Sequence, residues 1–373
     1  MSLKILVVGA GATGGYFGGQ LAQASHNGLT DTEVTFLVRP KRADILKENG
    51  LRIESSEGSI TLPVKTVQHT ELTWEYDLVL LACKAYDLES AILSFYPAIG
   101  PNTLILPILN GLAHLDRLDA EFGVTRVLGG CCHLNGVLTP EGVIKLLSEL
   151  HGITFGLRAG NAAHARAVLN QLQSAFEQTP VRVQHSETVL QGVWEKYAFL
   201  AAFAAMTCLM RSSVGDIMSI KDGKHLMLRL LAECEAAAQH AGYPLRTSVI
   251  EHNKKILTDT NSLMTSSMLR DLESGGRTEG EHIVNDMRQR AISSGSDATL
   301  LTLAWIHLQA REARLSREKK KRRKKVSDLD LAINLRPLIN ELDRLLLHPL
   351  LQCLILSDTL TGSIVTDILG DLH

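Results

Sequence analysis

Three glycines near the amino terminus have the residue type and spacing needed to bind a phosphate. Gly9, Gly11 and Gly14 form the pattern G-x-G-x-x-G between an apolar run at 4–8 and a segment with helical periodicity at 16–24. One glycine permits the tight turn after a strand, the next lets a pyrophosphate approach the backbone, and the third allows close helix–strand packing. The helix N-terminus adds free N–H groups and a positive dipole end. The pattern predicts a dinucleotide site formed by Gly9, Gly11, Ala12, Thr13 and Gly14, the alternative being a glycine-rich turn of another α/β protein.

A basic residue, Arg39, follows the second predicted strand at 33–38. In a dinucleotide-binding fold, a carboxylate at this place holds the ribose 2′-hydroxyl and selects NAD. A guanidinium instead binds a phosphate through two N–H groups, and a carboxylate would repel that phosphate. We therefore predict NADP(H) as the cofactor, with Arg39 on its 2′-phosphate. The alternative is that Arg39, Lys41 and Arg42 form a solvated basic loop.

Two further polar residues end predicted strands of the same sheet. Lys84 follows the continuous apolar strand at 77–82, and Asn110 follows the strand at 103–109. Ligands bind at the carboxyl ends of parallel strands, which favours Lys84 as a ligand contact over a surface charge. Asn110 precedes Gly111, so a turn-forming role and a site role are equally open.

A lysine inside a strongly apolar helix is the candidate for proton transfer. The segment at 188–210 is rich in aliphatic and aromatic residues, and Lys196 lies within it beside Glu195. Such a lysine either extends its charged end to solvent along its alkyl chain or is partly desolvated and poised to give up a proton.

The elements that must position these residues divide the chain into two kinds of structure. Strands and helices alternate up to about residue 186, including a hairpin at 51–55 and 59–64 and strands at 127–133 and 153–156. Only helical patterns follow, which predicts an α/β fold with an amino-terminal Rossmann-type dinucleotide-binding domain at 1–186 and an all-α domain at 187–317. Residues 318–373 comprise a wholly basic run at 319–325 and a leucine-rich appendage.

Bulk composition excludes several classes of protein. The chain has 373 residues, long enough for two domains, and a net charge of −2, which supplies no general field for nucleic acid. Six scattered cysteines form no C-x-x-C pair, so we expect reduced thiols, no metal site and a cytoplasmic protein. We also expect no signal peptide, no apolar run long enough to cross a membrane, and no nucleic-acid partner for the basic run.

Several dispersed motifs occur in order from residue 1 to about 314. The motifs are Gly9-Ala10-Gly11-Ala12-Thr13-Gly14, Val38-Arg39, Cys83-Lys84-Ala85-Tyr86, Leu109-Asn110-Gly111, Trp194-Glu195-Lys196, Ser266-Ser267-Met268-Leu269-Arg270-Asp271 and Thr278-Glu279. Together they resemble those of one family, the ketopantoate reductases (2-dehydropantoate 2-reductases). Agreement of many motifs in order is far more specific than the glycine turn alone.

The resemblance implies reduction of 2-dehydropantoate to (R)-pantoate with NADPH, a step of pantothenate synthesis. It implies that Lys196 is the general acid that protonates the ketone oxygen. Glu279 then engages the substrate hydroxyl and helps to place the lysine, while Ser267 holds the substrate carboxylate. Asn110 and Lys84 contact the substrate and the nicotinamide half of the cofactor. A small-molecule 2-oxoacid is thus the expected partner, with a homodimer as a possible assembly.

The chain departs from the family pattern at two positions. Leu200 and Ala204 stand where the family usually has asparagines that bind the substrate. Loss of two polar contacts weakens binding of a hydroxylated 2-oxoacid, so a more apolar 2-oxoacid is an alternative substrate. A non-catalytic NADPH-binding regulatory protein is a second alternative, against which the retention of both Lys196 and Glu279 argues.

Overall fold

Two five-stranded sheets form the amino-terminal half of the protein, in a computed structural model that describes residues 2–56, 58–321 and 341. The strands are β1 Leu3–Val8, β2 Thr32–Leu37, β3 Leu51–Ser55, β4 Gly58–Leu62, β5 Lys65–Val67, β6 Leu78–Leu81, β7 Leu104–Pro107, β8 Gly129–Leu138, β9 Val143–Gly156 and β10 Arg182–His185. The first sheet has the order β5-β2-β1-β6-β7 with every pairing parallel. The predicted Rossmann-type fold is confirmed.

The parallel sheet is buried on both faces and serves two apolar cores. Along β6, Leu78 and Leu80 pack into one core while Val79 and Leu81 pack into the other. Side chains alternate between the faces of a strand, so a strand covered on both sides is apolar throughout. The core that contains Val79 also contains residues of the carboxyl-terminal helices. The helical region therefore packs directly on the sheet, and the described residues up to Leu308 form one compact unit, whereas those from Gln309 onward belong to a second.

Twelve α-helices accompany the strands in the described chain. They are α1 Ala12–His26, α2 Pro40–Asn49, α3 Leu88–Phe95, α4 Ala113–Phe122, α5 Ala165–Phe176, α6 Val189–Met210, α7 Val214–Ser219, α8 Gly223–His240, α9 Thr247–Leu257, α10 Ser267–Glu273, α11 Asp286–Ser293 and α12 over 299–321. A π-helical turn, Glu281–Asn285, leads directly into α11. Within the described residues no strand follows β10, as the change of pattern near residue 186 predicts.

The first helix is held between the two sheets. A β-carbon on Gly18 would lie 2.8 Å from the ring of Phe36 on the parallel sheet, and one on Gly19 would lie 2.7 Å from Leu51 on the second sheet. Contacts this short do not occur at real β-carbons, so a side chain at either position would have to displace these buried neighbours, and glycine permits the close packing. The helix that begins at the glycine-rich turn is therefore fixed on two sides.

The second sheet is larger than its sequence signal indicates. It has the order β10-β9-β3-β4, and β8 pairs antiparallel with β9. The sequence predicts short strands at 127–133 and 153–156, whereas β8 and β9 have 10 and 14 residues. The second half of β8 is half-buried or exposed, and the middle of β9 is mostly exposed. Exposed strand segments lack an apolar alternation, which explains why the prediction stopped short.

Helix α6 corrects one expectation about membranes. By length and composition alone, Val189–Met210 would be able to cross a bilayer, contrary to the expectation that no apolar run is long enough. However, 72% of its most apolar window is buried inside the protein, which is typical of the core helix of a soluble protein. The apolar composition thus reflects contact with the sheet and the neighbouring helices.

The remaining predictions concern thiols and the carboxyl-terminal segment. The five cysteines in the described part of the chain are free thiols, and no cluster of metal-ligating side chains occurs among those residues. The domain limits at 186 and 317 stay predictions. Most of the predicted appendage at 318–373, including 322–340 and 342–373, lies outside the described residues.

Candidate active site

Four turns of the parallel sheet bring the predicted residues to one edge. Gly9 follows β1, Arg39 follows β2, Lys84 follows β6 and Asn110 follows β7. The four strands are neighbours in the order β2-β1-β6-β7, so their carboxyl ends form a continuous crevice. This is the edge at which open parallel sheets bind ligands.

The glycine-rich turn has the geometry that a pyrophosphate requires. Gly9 has a φ of +95°, and a β-carbon on Gly14 would lie 2.2 Å from the Gly9 carbonyl oxygen. By contrast, a β-carbon on Gly11 would meet nothing within 4 Å, so the space above this residue is open. Gly11 caps α1 without a side-chain hydrogen bond and no acidic residue lies in the first turn. The N–H groups of Ala12 and Thr13 therefore remain available to an anion.

The basic residues after β2 divide into two roles. Arg39 caps α2, is 75% exposed, and lies 3.6 Å from the carboxylate of Asp87. Arg42 instead donates from Nε to the Ala10 carbonyl at 3.1 Å and from Nη1 to the Gly142 carbonyl at 2.9 Å, which holds the glycine-rich turn in place. The segment is thus a helix and not a solvated loop. Arg39 remains available to a phosphate at the end of β2.

Lys196 projects from α6 to the same edge. Its Nζ donates to the Asn110 Oδ1 at 3.1 Å and to the Cys132 carbonyl at 2.5 Å. An ammonium has three N–H donors. Two of them bond to Asn110 and the Cys132 carbonyl, and the third has no acceptor among the residues that the structure describes. Asn110 is therefore more than a turn former, because its side chain fixes the position of the lysine. Lys196 does not simply extend into solvent.

Two acidic residues of the helical region bind Lys84. Its Nζ lies 3.0 Å from Asp271 and 3.2 Å from Glu279, and Glu279 also accepts a hydrogen bond from the Ala85 N–H at 2.9 Å. Burial alone would lower the pKa of Lys84, but the charges of Glu279 and Asp271 outweigh it and raise that pKa. These contacts join the loop after β6 to α10 and the segment that follows it.

The position of Glu279 differs from the expectation. The resemblance implies that Glu279 helps to place Lys196, yet its partners among the described residues are Lys84 and the Ala85 backbone. Lys196 is placed by Asn110 and the Cys132 carbonyl instead. Each oxygen of the Glu279 carboxylate accepts one of these bonds, Oε2 from the Lys84 ammonium and Oε1 from the Ala85 N–H.

Ser267 is the first residue of α10 and its side chain is half-buried. The preceding residue, Ser266, provides the helix cap by accepting from the Leu269 N–H, and its hydroxyl also pairs with Thr207 at 2.8 Å. The Ser267 hydroxyl has no such partner among the described residues. Ser266 is therefore structural, and Ser267 is left able to bind a ligand.

The positions that depart from the family pattern are apolar in their surroundings as well. Leu200 lies one turn after Lys196 and lines a small void of about 10 Å³ together with Leu109, Val193, Lys196 and Tyr197. Ala204, a further turn along, is fully buried. The wall beside the ammonium is thus apolar over one turn of α6.

Some functional contacts carry no signal in the sequence. The Cys132 carbonyl that binds Lys196 belongs to the backbone of β8, and any residue type would supply it. Asp271, by contrast, is the last residue of the motif at 266–271, so the motif points to it. Its ion pair with Lys84 gives a physical reason for an acidic residue there. Tyr197, next to Lys196, donates to Asp286 at 2.8 Å, and burial raises its pKa. This bond anchors α6 beside the lysine.

Two family models match the chain. Residues 5–160 match "Ketopantoate reductase PanE/ApbA", and residues 188–312 match its C-terminal model. Together they cover well over half of the sequence. The chain belongs to the ketopantoate reductase family.

Relatives of this ketopantoate reductase family member cover most of the described chain. It is 34% identical over 311 residues to the uncharacterized oxidoreductase YkpB of Bacillus subtilis, covering 83% of this chain and 99% of that protein. It is 24% identical to the 2-dehydropantoate 2-reductase of Aquifex aeolicus, covering 75% and 88%.

Solved structures agree in fold. A ketopantoate reductase family protein of Ralstonia eutropha has a TM-score of 0.74 at 22% identity, covering 84% of this chain and all of that one. D-mandelate dehydrogenase in complex with NADH and anilino(oxo)acetate has a TM-score of 0.73 at 19% identity, with the same coverage. Membership makes the protein an oxidoreductase, and its glycine-rich turn fits the nicotinamide dinucleotide of this ketopantoate reductase family.

Proposed function

We propose that the protein reduces a 2-oxoacid with NADPH and that 2-dehydropantoate, reduced to (R)-pantoate, is the first candidate substrate. The observation that carries the proposal is the position of Lys196. Its ammonium is held by Asn110 and the Cys132 carbonyl at the edge of the sheet where the glycine-rich turn opens. A fixed cation beside a dinucleotide crevice is what reduction of a ketone requires.

The nicotinamide, when bound, supplies the hydride. Lys196 directs its remaining N–H to the ketone oxygen, polarises the carbonyl, and gives its proton to the oxygen as negative charge develops there. Asn110 and the Cys132 carbonyl hold the ammonium in one direction throughout. General acid catalysis of this kind contributes about 10²- to 10⁴-fold to a rate.

Two further residues orient the substrate. The free hydroxyl of Ser267 donates to the substrate carboxylate at the start of α10. Glu279, held by Lys84 and the Ala85 N–H, is 6% exposed and accepts from a substrate hydroxyl with the lone pairs that its present bonds leave. Both groups belong to the helical region, so the helical half contributes substrate contacts beside those of Asn110 at the edge of the sheet.

Arg39 makes NADPH the preferred form of the cofactor in this proposal. The residue lies between β2 and α2 with an exposed guanidinium, and no acidic residue occupies the first turn of α2. The ion pair with Asp87 at 3.6 Å is exposed and contributes little free energy, so a phosphate displaces it readily.

A second candidate substrate is a 2-oxoacid with an apolar side chain. Leu200 lines the void beside Lys196 and Ala204 is buried behind it, so neither position offers a hydrogen bond to a substrate hydroxyl. D-mandelate dehydrogenase, which has the same fold, makes phenylglyoxylate a suitable probe.

The experiment is steady-state oxidation of NADPH with a panel of 2-oxoacids: 2-dehydropantoate, 2-oxoisovalerate, 2-oxoisocaproate and phenylglyoxylate. The highest kcat/KM with 2-dehydropantoate supports the first candidate, and the highest with an apolar acid supports the second. Tight NADPH binding without turnover on any of them would contradict the reductase proposal and favour a regulatory protein.

A further inference from the structure

A second cavity lies between α1 and the second sheet, and it shares no lining residue with the crevice described above. Its volume is about 270 Å³, against about 10 Å³ for the void beside Lys196. Tyr16 and Gln20 of α1 line one side, and Ile53, Leu146 and His151 of β3 and β9 line the other. The proposed reductase chemistry uses none of these residues.

Two buried polar groups in this cavity lack a protein partner. Gln20 is 4% exposed, and its carboxamide makes no hydrogen bond with any residue that the structure describes. His151 is 8% exposed, and its Nδ1 lies 2.9 Å from the Tyr16 hydroxyl, which leaves Nε2 unpaired within the described part of the chain. Neither group has a polar atom that is fully enclosed without a hydrogen bond, so both open onto the cavity. Their hydrogen-bond partner is therefore whatever occupies the cavity, a ligand or ordered water.

The charge of the lining restricts what binds. Glu149 is the single charged side chain among the described lining residues, and no lysine or arginine accompanies it. An anion would enter without a counter-charge and close to a carboxylate, which is unfavourable. The rest of the lining combines uncharged polar side chains, four serines and two glutamines, with apolar and aromatic ones. Among the latter, Ile53 and Leu146 lie beside the Tyr16 and His151 rings, whose centroids are 5.6 Å apart. The occupant is therefore uncharged and partly flat.

The hydrogen-bonding groups and the volume of the cavity narrow the class of ligand further. A carboxamide presents a donor and an acceptor side by side, which complements an adjacent acceptor and donor on a planar heterocycle, as on the N7/N6 edge of adenine. A volume of about 270 Å³ corresponds to roughly nine waters and so to about ten non-hydrogen atoms. We infer that this cavity binds a neutral planar nitrogen heterocycle of the size of a purine base, with Gln20 reading its edge and His151 binding a second ring nitrogen.

The test is isothermal titration calorimetry of the full chain with adenine as the probe, in the presence of saturating NADPH. NADPH fills the crevice at the parallel sheet, so adenine that still binds occupies another site. We expect Gln20→Leu, which preserves volume and removes the amide, to weaken adenine binding by about tenfold or more. Gln171→Leu on the exposed side of α5 is the matched control and should change nothing. AMP should bind at least about tenfold more weakly than adenine, because its phosphate is excluded.

A second variant distinguishes loss of adenine binding from loss of folding. Ser148→Trp places a ring at the exposed rim of the cavity and should abolish adenine binding while NADPH binding persists. Displacement of adenine by NADPH would assign the heat to the cofactor crevice and overturn the inference. So would equal adenine affinity in the wild type and both cavity variants, or no binding at millimolar adenine, either of which would leave a cavity that holds water only.

Discussion

The contact between Lys196 and Asn110 gives the sharpest test of the proposed chemistry. Asn110→Ala removes one of two acceptors that hold the ammonium, while the Cys132 carbonyl stays. A hydrogen bond to a charged group contributes about 1.5–3 kcal/mol. If the lysine needs this bond to meet the ketone, kcat/KM falls by about 10- to 150-fold, because each 1.4 kcal/mol is tenfold.

The double variant shows whether the asparagine acts through the lysine. Lys196→Ala alone should lower kcat/KM by about 10²- to 10⁴-fold with NADPH binding intact. In Lys196→Ala/Asn110→Ala the asparagine has nothing left to position, so activity should match Lys196→Ala to within about threefold. Asn110→Asp keeps an oxygen acceptor near the ammonium and should lose less than Asn110→Ala.

The assay is NADPH oxidation with the best substrate of the panel, with NADPH affinity measured separately by fluorescence. Lys145→Ala is the control, since this lysine is exposed and its ion pair with Glu54 at 3.2 Å lies on the surface. A double variant that falls by the product of the two single effects would show that Asn110 acts independently of Lys196. An active Lys196→Ala variant would refute the general-acid role.

Three other contacts are tested by single substitutions. Arg39→Ala should weaken NADPH binding by about tenfold or more and leave NADH nearly unchanged, because only the 2′-phosphate contact is lost; fluorescence titration with both cofactors measures this. Glu279→Gln keeps the acceptor for the Ala85 N–H but removes the charge that pairs with Lys84, so kcat/KM should fall by about 10- to 100-fold in steady-state assays. Arg246→Met removes two donors at 2.8 and 2.5 Å from the buried carboxylate of Glu195 and should lower the free energy of unfolding by about 1–3 kcal/mol in urea titrations at pH 7.

The last of these substitutions also has a pH dependence of known sign. Burial alone would raise the pKa of Glu195, but the hydrogen bond from Arg246 and further donors outweigh it and lower that pKa below its usual range. The stabilisation is therefore complete above the unfolded pKa of about 4.3 and is lost as pH falls through the lower folded value. The difference between wild type and Arg246→Met should shrink from pH 7 towards pH 3. A constant difference would contradict the charge argument.

Equal affinity of the wild type for NADPH and NADH would refute the role of Arg39. The matched control for Arg39→Ala is Lys41→Ala, at the exposed start of α2. For Glu279→Gln, unchanged kinetics would show that the pair with Lys84 is only structural.

The sequence predicts the crevice well because the order of the parallel strands determines which residues meet at one edge of the sheet. Glycine spacing, an apolar strand and a helical period identify β1 and α1, and Lys84 and Asn110 reach the same edge because parallel strands end together. Helix α2 was missed, although Pro40 at its first position is a start signal, because only Leu46 is buried along its length. A helix with one buried residue has no apolar period to detect.

The contacts within the site were less predictable than the residues. The apolar helix identifies Lys196. One of its two partners is a backbone carbonyl of β8, which every residue type has, so the sequence gives no sign of this contact. Glu279 was also identified, yet its pairing with Lys84 depends on how the helical region docks on the sheet. Pairing of this kind follows from tertiary packing and leaves no local pattern in the chain.

The fixed position of α1 has a consequence for attempts to alter cofactor preference. With Gly18 and Gly19 pressed between two sheets, the helix that receives the pyrophosphate is unable to slide or tilt to suit a different ligand. An engineer who wishes to convert the enzyme from one dinucleotide to the other should leave that helix untouched and randomise the exposed turn at Arg39, where a new side chain displaces only solvent. Libraries that vary Gly18 and Gly19 would place β-carbons within 2.9 Å of buried side chains, so most of their members should be destabilised.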